Sequence, residues 1–325
     1  MIISRTPLRI SFAGGGSDLS AYYSRRPGAV TSTAITKYMY VTVNKRFDDS
    51  IRVSYTHTEI VDNMDDLEHE LVRESMKMTG VETGVEITTI SDVPARTGLG
   101  SSSSLTVGLL NALYAYKGVY ASPKRLAEEA CRIEIDILKE PIGKQDQYIA
   151  AYGGLQHIRF NPDESVFVDP VICSPEVRRN LDENLLIFYL GMKSEGHDIL
   201  RKQTKNTAQK LHVLDEMVGI AGKIKTTLSE GDLEEFGALL HRGWVLKRGL
   251  AEGITNTQID KIYDKARACG ALGGKVLGEG GGGFLLLYCP HGKQGNLRKV
   301  LGDLREYHFN FDAQGSKIIY IEDER

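Results

Sequence analysis

The chain has 325 residues, enough for two domains and a substantial core, and its 41% hydrophobic and 26% charged residues describe a globular protein rather than a disordered one. With 40 basic against 43 acidic residues and a formal charge of -3, it carries no basic field for nucleic acid. Cys131, Cys173, Cys269 and Cys289 form no Cys-x-x-Cys pair and the histidines no His-Glu-x-x-His, so neither a disulfide frame nor a zinc site is expected. No run approaches the roughly 18 apolar residues of a membrane span, and Met1 opens no basic leader, so the expectation is a cytoplasmic protein without a membrane partner.

In chain order, residues 2–13 alternate as two short strands around Pro7 and run into Gly14-Gly-Gly-Ser-Asp18. Three glycines cannot hold a strand; they let a backbone approach a ligand closely. Asp18 reads as a turn or N-cap aspartate, and alternatively as a carboxylate for ligand hydroxyls. Residues 28–46 are rich in β-branched and aromatic residues, and short strands follow at Ile51–Tyr55 and Val85–Ile90, with helix over Asp65–Met78 between them.

Next comes Pro94-Ala-Arg-Thr-Gly98-Leu99-Gly100-Ser101-Ser102-Ser103-Ser104-Leu105, a small-residue loop running into an apolar helix that starts near Ser101. The unpaired N–H groups of that first turn, the helix dipole and two close-approach glycines suit a phosphate; a serine-capped helix after a flexible turn is the plain alternative. Ser122-Pro123 opens another helix, with Glu134 beside its apolar stripe, reading either as a carboxylate turned to the serine loop or as an ordinary surface glutamate. After Pro141, Asp146 stands at a helix start, where a first-turn acid also suits the dipole. Strands at Leu155–Phe160 and Val166–Val168 close the first half, and Pro170–Asp182 reads as a boundary.

The second half opens with a strand at 184–190, continues with helices over about 195–229, 232–250 and 256–269, and reaches Gly273-Gly-Lys-Val-Leu-Gly-Glu-Gly-Gly-Gly-Gly-Phe284. Residues 278–283 spell Gly-x-Gly-x-x-Gly, but a strand rather than a helix follows, so a dinucleotide fold is excluded by context. A glycine hairpin against a nucleotide and a plain β-turn both remain open. A helix within 291–304 and a strand at Lys317–Ile321 complete an expected α+β second domain.

Taken in order, Pro7 to Asp18, Pro94 to Ser104 and Gly273 to Phe284 resemble the three motifs of the GHMP kinase family, named for galactokinase, homoserine kinase, mevalonate kinase and phosphomevalonate kinase. The resemblance spans nearly the whole chain. It implies an α+β, two-domain fold, with a ribosomal-protein-S5-like N-terminal domain over 1–175 and a ferredoxin-like C-terminal domain over 176–325. It further implies ATP and Mg2+ as cofactors, with Pro94, Gly98, Leu99, Gly100 and Ser101 to Ser104 around the phosphates. Ser101 and Glu134 become metal ligands, and Asp146 with Arg9 the catalytic pair facing the reacting hydroxyl.

The first motif, with Gly15 and Gly16 where galactokinases carry glutamate and histidine, is most similar to that of bacterial D-glycero-D-manno-heptose 7-phosphate kinases, and fucokinases carry a related form. That implies a small-molecule sugar phosphate as partner, phosphorylated at its anomeric oxygen and contacted by Gly14, Gly15, Gly16, Ser17, Asp18, Gly281 and Gly282. A phosphorylated acceptor needs cations, for which Lys193, His197, Arg201 and Lys202 are the candidates, a solvated helix face being the alternative. An unphosphorylated sugar such as L-fucose or galactose is a second expectation, and a non-catalytic ATP- and sugar-binding regulator a third, from another class. The oligomeric state stays open, a homodimer included.

Overall fold

A computed structural model describes residues 1–191 and 196–322. The first half runs β1 (Ile2–Ala13), α1 (Ser20–Tyr23), β2 (Gly28–Lys45), β3 (Ile51–Ser54), β4 (Thr58–Val61), α2 (Glu70–Thr79), β5 (Val85–Ser91), α3 (Ser101–Tyr116), α4 (Pro123–Cys131), α5 (Gln145–Tyr152), β6 (Leu155–Phe160) and β7 (Val166–Pro170). The second half adds α6 (Pro175–Asn184), β8 (Leu185–Tyr189), α7 (Gly196–Asn206), α8 (Leu211–Glu230), α9 (Leu233–Arg248), α10 (Thr257–Ala268), β9 (Gly273–Val276), β10 (Phe284–Tyr288), α11 (His291–Val300), β11 (Arg305–Glu306) and β12 (Lys317–Ile321).

Among the described residues the strands form two sheets. The larger has the order β12-β1-β2-β5-β3-β4, with β6 on the first part of β2 and β7 outside it; the smaller is the antiparallel β11-β8-β10-β9. Pro7 does not split β1 in two: its missing N–H is absorbed by a register shift between Pro7 and Leu8, and the strand continues against β2. The segment read as a boundary contains α6, whose Ser174 accepts from Val177 N–H while Pro175 takes the first helical position, a start signal present in the sequence.

The larger correction concerns the end of the chain. Lys317–Ile321 does not close the second domain but pairs antiparallel with β1, Ile2 opposite Ile321. It supplies the edge partner that β1 lacks, and the Ser316 hydroxyl anchors it to Thr6 and Asn111. The N-terminal sheet is therefore built from both chain ends, and one apolar core crosses the halves, with Leu8, Ile10, Phe12 and Leu99 packed with Ile220, Phe236, Leu277 and Phe284.

That shared core sets two glycine loops against each other. Gly98 (φ 81°) and Gly278 (φ 67°) touch so closely that a Cβ on Gly278 would lie 2.5 Å from the Gly98 Cα, and one on Gly98 2.5 Å from the Leu277 carbonyl oxygen. Both the left-handed backbone and the contact demand glycine. Gly278→Ala is expected to cost about 1–3 kcal/mol in urea unfolding; wild-type stability in that variant would show that the two loops do not depend on each other.

Candidate active site

The site begins on β1. Arg9 is 5% exposed and its guanidinium grips three oxygens: Nε donates to Asp146 Oδ1 at 2.7 Å, Nη2 to Asp146 Oδ2 at 2.6 Å, and Nη1 to the Gly98 carbonyl. Its backbone N–H donates to the Leu99 carbonyl at 3.0 Å. One residue thus aligns a strand, the first turn of α5 and the serine loop, and the fork fixes the plane of the carboxylate.

At the start of α3, Gly100 stands in the left-handed region at φ 76°, and the helix has no side-chain cap and no acid in its first turn. Its first N–H groups and positive dipole end are thus not met by a side chain of the helix's own first turn. The four serines divide. Ser101 and Ser102 stand at the helix start, whereas Ser103 and Ser104 are buried, and Ser104 Oγ donates to the Pro7 carbonyl at 2.9 Å. Ser104 therefore belongs to the β1–α3 packing. Leu99 is wholly buried and serves through its carbonyl; Pro94 is exposed, its carbonyl accepting from Thr97 Oγ1.

Glu134 lies just beyond α4 in a π-helical turn, Arg132–Ile137, and is 0% exposed. Ser102 rather than Ser101 reaches it, with Ser103 beside: Ser102 Oγ donates to Oε1 at 2.8 Å and Gln147 Nε2 to Oε2 at 2.7 Å. Burial pushes the carboxyl up to about 7, with the hydrogen bonds from Ser102, Gln147 and Ser103 pulling back and Asp146 adding to the rise. A buried carboxylate so loaded, with a hydroxyl on it at an uncapped helix start, has the chemistry to fit a hard divalent cation. Among the described residues no three His, Cys, Asp or Glu side chains cluster as an all-protein metal cage.

A cleft opens between the halves, with Arg9, Asp146, Asp18, Gln145, Gly15 and Gly16 on one wall. Asp18 is 3% exposed; it accepts from the Gly16 N–H at 2.8 Å and from Gln145 Nε2 at 3.0 Å, and burial raises its pKa. Gln145 Oε1 is buried without a partner, an acceptor available to a ligand hydroxyl. Gly143 makes room for this arrangement, since a Cβ there would lie 2.0 Å from Asp18 Oδ2.

Several expected contacts do not reach the cleft. Gly14 is packed on β2, where a Cβ would lie 1.9 Å from the Ala29 carbonyl, and the buried Ser17 donates to the Gly14 and Ala29 carbonyls. Gly281 packs on Ile199 and Gly282 is buried, so Gly278 and Glu279 line the cleft instead. α7 turns Leu200 and Gln203 inward. Its basic residues face out: Arg201 pairs with Asp198 at 3.3 Å and Lys202 with Glu252 at 3.9 Å, and His197 Nδ1 lies 3.4 Å from the Glu140 carboxylate. Lys193 lies outside the described residues.

Family models described as the N-terminal and C-terminal domains of GHMP kinases match residues 55–154 and 224–304, together more than half of the chain. The chain belongs to the GHMP kinase family. It is a phosphotransferase with a hydroxyl acceptor, and ATP is the family's phosphoryl donor. A D-glycero-alpha-D-manno-heptose 7-phosphate kinase of Campylobacter jejuni is 29% identical over 97% of this chain and 98% of its own. A bifunctional fucokinase/GDP-fucose pyrophosphorylase of Arabidopsis thaliana is 24% identical over 95% of this chain and 31% of its own. The fold matches that of a D-glycero-D-manno-heptose 1-phosphate kinase from Bacteriodes thetaiotaomicron at a TM-score of 0.83 and 24% identity, over 99% of this chain and 100% of that one. No helix among the described residues is long and apolar enough to cross a membrane.

Gln145, Gln147, Lys247 and Lys275 escaped the sequence reading. Lys247 left a trace: it falls on the same helical face as Phe236, Leu240 and Trp244, where a lysine is out of place.

The raised Glu134 value sets a pH dependence. Between its ordinary value of 4.5 and about 7 the folded protein keeps a proton that the unfolded chain has released. That contribution to stability is full below 4.5 and lost as pH rises through about 7. In metal-free buffer, Glu134→Gln is expected to flatten the stability profile across this window by roughly 3 kcal/mol; parallel profiles for the two proteins would reject the assignment.

Proposed function

We propose that this GHMP kinase transfers the γ-phosphoryl group of ATP to the anomeric hydroxyl of D-glycero-D-manno-heptose 7-phosphate, giving the 1,7-bisphosphate. The observation that carries the transfer step is the Arg9–Asp146 pair, held by two hydrogen bonds within the cleft and tied through Gly98 to the serine loop. The similarity to the Campylobacter jejuni enzyme over nearly both whole chains supports the choice of acceptor.

In this reading the start of α3, with Gly98, Gly100 and Ser101, cradles the phosphates of ATP. Ser102 and Glu134 hold Mg2+, which when bound neutralises charge on the outer phosphates. Asp18 and Gln145 Oε1 accept hydrogen bonds from sugar hydroxyls and orient the acceptor. Asp146, each of whose oxygens keeps a free lone pair beside Arg9, accepts the proton of the attacking hydroxyl, and Arg9 adds positive charge as the phosphoryl group passes. Little further covalent help is needed, because the transition state is loose.

The outward pairing of Arg201 and Lys202 favours a second reading, an unphosphorylated sugar such as L-fucose, in line with the similarity to a fucokinase. A coupled ATP-turnover assay on heptose 7-phosphate, free heptose, L-fucose and galactose separates the two. The proposal expects turnover of the 7-phosphate far above the rest, with product phosphorylated at C1; preference for a free sugar would replace it. Asp146→Asn is expected to lower kcat by about 10²–10⁴-fold while nucleotide binding persists. Wild-type turnover in a folded variant would remove Asp146 from the chemistry.

A further inference from the structure

Two ammonium groups in the cleft wall have no part in the transfer step. Lys247, in the last turn of α9, is 5% exposed and its Nζ donates to the Gly278 carbonyl; Lys275, on β9, is 4% exposed and its Nζ donates to the Ser11 carbonyl at 2.7 Å and that of Phe12 at 3.4 Å. An ammonium has three donors, so these carbonyls leave donors to spare, and a carbonyl does not cancel a buried charge.

The acids of the same cleft have other donors to serve. Asp146 is held by both arms of Arg9, and Asp18 by Gly16 and Gln145. Glu279 acts on Lys247 but also abuts the start of α7, where a Cβ on Gly196 would lie 2.0 Å from its Oε1. Burial draws the Lys247 ammonium down to about 8 and that of Lys275 well below its usual range, with Lys247 and Arg9 depressing Lys275 further. An entering anion would reverse this.

Their position favours the acceptor over the nucleotide. Lys275 is tethered to Ser11 and Phe12, which lead into the Gly14–Gly16 run, and both lysines share the cleft with Gly15, Gly16 and Asp18, whereas Ser101 to Ser104 do not line it. A smaller cavity behind the two lysines is closed by Phe12, Met217 and Gly243. Besides Arg9, they are the cations of the cleft among the described residues.

We propose that Lys247 and Lys275 form an anion subsite that takes the phosphate already carried by the acceptor and so selects a sugar phosphate over the free sugar. This rests on the sugar-kinase reading and names the groups that the outward cations of α7 do not supply.

The test compares wild type, Lys247→Met and Lys275→Met on heptose 7-phosphate and free heptose. It adds inorganic phosphate as an inhibitor competing with whichever sugar the wild type turns over. Each variant is expected to lower the ratio of kcat/KM for phosphorylated over free heptose by about 10–100-fold, mainly through KM, and to weaken phosphate inhibition in parallel. An equal fall in kcat on both acceptors would assign the lysines to the transferring group and overturn the subsite. So would an unchanged ratio in an enzyme that does use the 7-phosphate, which leaves the substrate reading intact. If the wild type prefers a free sugar, the substrate reading fails and the proposed selection is overturned with it, whatever phosphate does. Should a variant misfold, phosphate competition in the wild type decides, its absence counting against the subsite.

Discussion

The fork of Arg9 is the contact on which the site depends. It joins β1, an interior strand of the larger sheet between β12 and β2, to the first turn of α5 and to the carbonyl of Gly98. Burying a guanidinium and a carboxylate together is worthwhile only when the geometry is close and further donors are satisfied. Here both nitrogens that face Asp146 are used and a third bond goes to the loop, so removing Asp146 would leave the buried guanidinium without its counterpart. Position and charge are therefore set by one interaction, anchored on a strand that has partners on both edges.

Around that contact the protein keeps electrostatic debts rather than a balanced interior. Glu134 and Asp18 are held above the usual carboxylate range by burial, and Lys247 and Lys275 below the usual range of an amine. The uncapped start of α3 adds unpaired donors, and Gln145 an unpaired acceptor. In the proposed function each group would meet its partner in ATP, a divalent cation or an acceptor sugar. Water is a poor substitute in a narrow cleft, so binding energy is concentrated where the reacting groups meet.

The halves cannot be treated as separate modules. β12 returns to the first sheet, α8 packs on β2 through the Thr31 hydroxyl and the Ala221 carbonyl, and the Gly98 and Gly278 loops are in backbone contact. Movement of one half relative to the other would shift the serine loop against the wall that carries Lys247 and Glu279. The cleft is a consequence of that junction.

By itself the sequence determined the elements whose signals are local. The β-branched run became β2, the serine loop did open α3, the Ser122-Pro start became α4, and the glycines at 98, 100 and 278 sit where positive φ is required. The three motifs in order were enough to indicate the fold and Arg9, Asp146 and Glu134 as the residues to examine. What only the tertiary structure decided is direction and partnership. Adjacent serines on a helix point 100° apart, so which of four hydroxyls meets Glu134 is settled by how α3 lies against β1. Whether a lysine faces solvent or a cleft depends on the helix that packs beside it, which is why the cations of α7 turned outward and Lys247 inward. The edge that β12 joins is likewise a contact across more than 300 residues of chain, which no local pattern of residues encodes.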